Sequence, residues 1–333
     1  MTEDVSQSAE LVPSDQDEGR LLTAAEFQGL ADVPPEVEWF ANIHNKHTKR
    51  AYMNDVKDFM SFTGIRRPEE FRIVTRAHVI AWRETFETRG KDGKPLAAST
   101  ARRKLSALSS LFEHLCNQNA VTHNPIKGVQ RPSEGANEGK TPALGDDQAR
   151  TLLDAPPADT LKGKRDRAIL SVFLYHGLRC AELVSLRVGN IEERRGVKMF
   201  KIHGKGSKIR YIPAHPGALE RIDDYLEHAG HGGDEDAPLF QPVKNNRTGN
   251  LAKPLSSDGV YKMIKRWAVD AGVHVTGFCN HALRSTAATN ALEHEADIAK
   301  VQEWLGHSSI ATTRLYDRRK MRPEDSPTFK VSY

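Results

Sequence analysis

The chain has 333 residues, enough for two domains of ordinary size, each with its own core. No apolar run approaches the roughly 18 residues that a membrane-spanning helix needs, and the acidic, polar opening "MTEDVSQSAELVPSDQDEGR" lacks the basic start and apolar stretch of a signal peptide, so a cytoplasmic protein with no membrane partner is expected. The net charge is +4, but residues 1–38 hold ten acids and only Arg20, which leaves 47 basic and 34 acidic residues in the remainder. That surplus points to a polyanion as partner, because dispersed Lys and Arg neutralise phosphates and release their counterions.

In chain order, residues 1–38 lack hydrophobic periodicity apart from "LLTAAEFQGL" and read as an acidic, largely disordered tail with room for one short helix. "TKRAYMNDVKDFMSFTG" places Tyr52, Val56, Phe59 and Met60 on one helical face, with Gly64 as its stop. A second helix is expected from Thr75 to Gly90, and a third in "STARRKLSALSSLFEHLCNQ" with Ser99 as cap and Leu105, Leu108, Phe112 and Leu115 as its buried stripe. Arg102, Arg103 and Lys104 begin the polar side of that helix, near its positive end, and are candidate DNA-binding residues. A solvated basic face is the plainer reading of the same run. The helical bundle is assigned to residues 39–128, and the Gly/Pro-rich, aperiodic stretch at 129–141 to a linker.

Residues 142–320 form the expected second domain, with a tail at 321–333. "GDDQARTLLDA" and "KGKRDRAILSVFLYHG" are helical by period, and "AELVSLRVGNI" reads as a short helix and its exit. Two β-rich runs, residues 197–203 and 208–213, flank the turn "GKGS" and signal a hairpin. Helices resume in "PGALERIDDYLEHAG", "SSDGVYKMIKRWAVDAG", "HALRSTAATNALEHE", "ADIAKVQEWLG" and "SSIATTRLYDRR". The fold class is mainly α, an α+β chain with a small antiparallel sheet in its second domain. Cys116, Cys180 and Cys279 lie far apart without CxxC or finger spacing, which argues against a disulfide framework and a structural zinc.

"YHGLRCAEL" holds Arg179 and Glu182, "HGKGSKIR" puts Lys205 at a hairpin tip, "HALRS" pairs His281 with Arg284, "GHSS" supplies His307, and Tyr316 follows in "TTRLY". His-x-x-Arg alone is uninformative, since it also occurs at His47/Arg50 and His176/Arg179. "HGKGSKIR" lacks the spacing of a P-loop and lies between strands. The ordered set resembles the tyrosine recombinases, or phage integrase family, most nearly the Xer type. "TKRAYMNDVKDFMSF", the third helix and "NPIKGV" resemble that family's DNA-clamping helical domain, so the resemblance spans residues 40–320. It implies a SAM-like core-binding domain followed by a catalytic domain of the DNA breaking-rejoining fold.

If the substrate is a DNA phosphodiester, two guanidiniums, Arg179 and Arg284, can grip the non-bridging oxygens and stay charged at any relevant pH. His281 and His307 can hydrogen-bond the phosphate, and His281 is the better placed to take the proton of the Tyr316 nucleophile. Lys205, on a flexible stem, suits the general acid that protonates the departing 5′ oxygen, and Glu182 suits a supporting role, orienting a catalytic cation. The resemblance implies these same roles, with a 3′-phosphotyrosyl intermediate that stores the bond energy, no metal and no cofactor. It also implies double-stranded DNA as partner, a homo- or hetero-tetramer on two DNA sites, and room for accessory proteins.

Ser285 stands where many relatives have a second histidine, and Cys180 where a small aliphatic residue or proline is common. Both are read as packing variations. The rival readings are a type IB topoisomerase, a DNA-binding protein with decayed catalysis, and a metal protein built on His228 and His231 in "EHAGHGGDED". The Xer-like first domain, the intact catalytic series and the Gly-rich character of that last loop weigh against each in turn.

Overall fold

The structure is a computed structural model that describes residues 35–133, 141–204, 208–244, 249–317, 328 and 331. Residues 1–34 of the expected acidic tail at 1–38, and most of the expected tail at 321–333, lie outside the described residues. The chain divides into two compact units, Met1–Gly135 and Ala136–Tyr333.

Unit 1 is helical: α1 (Pro35–Ala41), α2 (Lys46–Thr63), α3 (Arg76–Glu84) and α4 (Ala98–Asn117). Asn45 Oδ1 caps α2 by accepting from the backbone N–H groups of His47 and Thr48 at 2.9 and 3.1 Å, and Gly64 ends it. Val56 and Phe59 are buried with Trp82, Leu105, Leu108, Phe112 and Leu115, while Tyr52 and Met60 pack at the margin. Trp82 is the centre of this core, edge-on to Phe59 at 5.2 Å and to Phe86 at 4.8 Å.

Three boundaries differ from the sequence reading. α1 begins inside the stretch read as acidic tail, because Trp39 is buried in the core and its Nε1 donates to Ser110 Oγ at 3.1 Å. α3 stops at Glu84 and a 3-10 turn, Thr85–Glu87, follows, since Phe86 is drawn into the core and its carbonyl accepts from Leu96 N–H at 2.8 Å. That bond also holds the approach to α4 extended, so Ala97 occupies the cap position and Ser99 falls within the first turn.

Unit 2 contains α5 (Asp146–Asp154), α6 (Leu161–His176), α7 (Cys180–Val184), β1 (Ile191–Arg194), β2 (Val197–His203), β3 (Ile209–Pro213), α8 (Pro216–Ala229), α9 (Ser257–Asp270), α10 (Asn280–Glu293), α11 (Ile298–Leu305) and α12 (Ile310–Arg314). The antiparallel sheet runs β1-β2-β3, with Phe200 opposite both Ile191 and Ile212. The hairpin is as expected, and β1 is an addition. Its charged sequence "IEER" carries no strand pattern, but Arg195 and Gly196 both take positive φ, 52° and 76°, the two-residue turn that suits a twisted hairpin.

α6 and α10 pack on each other and are buried over most of their surfaces, which is why neither shows a strong amphipathic period. Asp166 on α6 is fully buried and accepts from Arg165 Nη2 at 2.6 Å and from Trp267 Nε1 of α9 at 2.9 Å. α12 is shorter than expected. It stops at Arg314, and Tyr316 sits just past it with its N–H donating to Thr313 O at 3.0 Å. Among the described residues, no helix is long and apolar enough to cross a membrane.

Candidate active site

α6 ends at Gly177, whose φ of 57° turns the chain sharply. A side chain there would be strained by the positive φ and would force Leu305 to shift, since a Cβ would meet its Cδ2 at 2.8 Å. The turn delivers Arg179 to the head of α7. Its Nη1 donates to Glu182 Oε1 at 2.8 Å, its backbone N–H to Glu182 Oε2 at 2.9 Å, and its Nη2 to Gly306 O at 3.2 Å.

Glu182 is 5% exposed and holds a second guanidinium. Arg210 of β3 donates from Nη1 and Nη2 to its two oxygens at 2.9 and 2.8 Å, and from Nε to Trp304 O at 3.3 Å. Burial pushes the Glu182 carboxyl up, but Arg210 and the Arg179 backbone N–H outweigh it and hold the group at about 2. Arg210 is the residue the sequence reading missed. It stands in the quoted "HGKGSKIR", and its only signal was a strand position beside Ile209 and Ile212.

Arg284, on α10, is 0% exposed. Its Nη1 donates to Gly177 O at 2.5 Å, and its Nη2 to Leu305 O at 2.7 Å and to His307 Nε2 at 2.8 Å. Its Nε is buried without a partner among the described residues. Burial and the neighbouring Arg179 lower the guanidinium to about 10, which leaves it charged at neutral pH. His307 follows Gly306 at the end of α11, anchored by its N–H to Gln302 O at 3.0 Å. Its Nδ1 faces Thr313 Oγ1 at 2.9 Å. Burial, then Arg284, Arg179, His281 and Arg210, push its ring down to about 4, so it is neutral.

Tyr316 is 5% exposed and packs with Ala288, Leu292, Val301 and Leu305. Its hydroxyl lies 3.1 Å from His281 Nε2, and its ring stacks on His307 with centroids 5.7 Å apart and planes at 19°. Its carbonyl accepts from Thr289 Oγ1 at 3.1 Å. Desolvation and the charges of Arg284 and Arg179 keep His281 below the usual imidazole range. Three bonded groups thus make up one cluster: Arg179 with Glu182, Arg284 with His307, and Tyr316 with His281, the first two meeting at the Leu305–Gly306 backbone. Lys205 lies outside the described residues.

The two departures sit beside this cluster. Cys180 Sγ accepts from Asn280 Nδ2 at 3.1 Å, joining the starts of α7 and α10, and buried Ser285 donates to Thr141 O at 3.4 Å. At the third rival site, His228 Nδ1 and His231 Nε2 each meet a backbone carbonyl, at 2.8 and 3.3 Å.

The basic run of α4 is engaged within unit 1. Lys104 has a side chain only 13% exposed; its Nζ lies 3.4 Å from Asp55 and 3.0 Å from Asp58, and 5.7 Å from the Trp82 ring centroid. Arg103 pairs with Asp55, and Arg102 Nη1 donates to Pro132 O at 3.4 Å. The reason is Asp55 and Asp58 on α2: they flank the apolar face that buries Val56 and Phe59 and need cations where they enter the core. Lys104 is therefore held by two carboxylates beside the Trp82 ring.

A cluster of two guanidiniums, two neutral imidazoles and a tyrosine hydroxyl, with Arg284 and Tyr316 buried and Arg179 and His281 reaching the surface, on a mainly helical unit with a small sheet, has the chemical make-up of a phosphoryl-transfer centre. The phage integrase family matches residues 142–322, and the phage integrase N-terminal SAM-like domain matches residues 41–119. The chain is 33% identical to the tyrosine recombinase XerC of Pelobacter propionicus over 275 residues, covering 81% of this chain and 84% of that protein. It is 28% identical to the tyrosine recombinase XerD of Listeria monocytogenes, covering 84% and 90%. Among solved structures, a XerH site-specific recombinase bound to palindromic difH substrate in a post-cleavage complex aligns with a TM-score of 0.65 at 20% identity, over 80% of this chain and 75% of that one. A lambda integrase tetramer bound to a Holliday junction aligns with a TM-score of 0.63 at 19% identity, over 86% and 78%. The chain belongs to the phage integrase family, the tyrosine recombinases, and its curated relatives include members of the Xer type.

Proposed function

We propose that the chain is a Xer-type site-specific recombinase that cleaves and rejoins double-stranded DNA with Tyr316 as the nucleophile. The observation that carries this reading is the 3.1 Å contact between the Tyr316 hydroxyl and His281 Nε2, beside the Arg284–His307 pair. Attack by the Tyr316 oxygen on phosphorus forms the 3′-phosphotyrosyl bond and breaks the bond to the deoxyribose 5′ oxygen. His281, held below its ordinary range, is a neutral imidazole able to take the tyrosine proton. Arg179 and Arg284 stabilise the charge that builds on the non-bridging oxygens. Lys205 donates the proton to the leaving oxygen, a role that rests on its place in the motif. Glu182 supports Arg179.

The matched SAM-like model and the surplus of basic residues support a DNA-binding role for residues 39–128 and catalysis by residues 142–320. In the first of these, Arg102, Arg103 and Lys104 are the candidate phosphate contacts. Relatives named as recombinases on difH and on a Holliday junction support a tetramer on two DNA sites. A DNA substrate supports a cytoplasmic enzyme.

The test is a nicked suicide duplex, whose cleaved product diffuses away and traps the covalent complex. Tyr316→Phe is expected to bind this duplex with wild-type affinity and to form no adduct. Adduct from that variant refutes the assignment.

A further inference from the structure

His307 is held by both ring nitrogens. A guanidinium has only N–H donors, so the 2.8 Å contact from Arg284 Nη2 makes Nε2 the acceptor. In a neutral imidazole the proton then sits on Nδ1, and Thr313 Oγ1, 2.9 Å away, accepts it. Thr313 is 0% exposed, so its hydroxyl is shielded from bulk water. The same residue's carbonyl accepts the N–H of Tyr316 at 3.0 Å. One side chain on α12 therefore ties the imidazole to the backbone that carries the nucleophile.

We propose that Thr313 is a positioning residue for strand cleavage: its hydroxyl at Nδ1, acting with the Arg284 guanidinium at Nε2, fixes His307 in the Nδ1–H tautomer and holds the ring edge toward the phosphate that His307 and Arg284 would share. This rests on the recombinase reading. A hydroxyl suits the task because it accepts from Nδ1–H whether the ring is neutral or has taken a second proton from solvent at Nε2. Burial, and then the charges of Arg284, Arg179, His281 and Arg210, keep the ring neutral in the free protein. A DNA phosphate would oppose those charges and favour the imidazolium: Nε2 would then give up the bond from Arg284 Nη2, and both N–H groups would turn to the anion while Nδ1 stays on Thr313.

Thr313→Val keeps the shape and loses the acceptor, whereas Thr313→Ser keeps it. In the free full-length chain, two-dimensional 15N NMR of the imidazoles should show Nδ1–H at His307 for wild type and Thr313→Ser, and mixed tautomers for Thr313→Val. On the suicide duplex, adduct formation should slow roughly 10–100-fold in Thr313→Val and stay within about threefold of wild type in Thr313→Ser, with DNA affinity equal in all three. Wild-type His307 protonated at Nε2, a Thr313→Val rate equal to wild type, or Thr313→Ser as slow as Thr313→Val overturns the proposal. A wild-type chain that forms no adduct overturns the recombinase reading instead, and the tautomer spectra, taken without DNA, still decide the role of Thr313.

Discussion

Arg210 ties three parts of the site together with one guanidinium: Glu182 at the head of α7, the carbonyl of Trp304 on α11, and its own strand β3. A lysine there would keep the charge and lose the fork that fits both carboxylate oxygens. Arg210→Lys is expected to lower the rate of adduct formation roughly 10–100-fold without weakening DNA binding in a filter assay. A rate equal to wild type would show that Glu182 orients Arg179 without it. His307 and the buried His176 are both held at about 4, against an ordinary imidazole value of 6.5. Each is neutral when folded and takes a proton when unfolded between those values. Stability that is complete above pH 6.5 is therefore lost as the pH falls toward 4, at about 1.4 kcal/mol per pH unit for each proton taken up. The urea midpoint of unit 2 should drop between pH 7 and pH 5, and an unchanged midpoint would contradict the two neutral rings.

At the scale of elements, the fully buried Asp166 carboxylate links α6 to α9 through Trp267 Nε1. Trp267→Phe removes that donor, and the cost should be about 1–3 kcal/mol in chemical denaturation. A loss no larger than that of an exposed aromatic would contradict a load on this bond. The helices with a clear apolar period, α2 and α4, could be read from the sequence because one face is buried and the other wet. Their ends could not, because contacts from elsewhere set them: Phe86 entering the core shortens α3, and its bond to Leu96 moves the α4 cap from Ser99 to Ala97. β1 escaped for a related reason, since a charged strand forms only because its hairpin turn and partner supply the backbone bonds.

Across the whole molecule, the site residues were legible as a set because each belongs to a short motif and the motifs come in a fixed order. Their supports were not. Arg210, Thr313 and the pairing of Lys104 with Asp55 and Asp58 depend on partners that chain distance hides. The basic surplus beyond residue 38 implies binding driven by released counterions. Affinity for target DNA should fall at least about 100-fold between 50 and 200 mM salt, and a flat response would count against phosphate contacts as its source. The central claim is tested most directly by the chemistry of the trapped adduct. After digestion of the adduct with protease and nuclease, mass spectrometry should find a nucleotide joined through its 3′ phosphate to the Tyr316 side chain. A nucleotide on any other residue, or a 5′ linkage, would contradict the account.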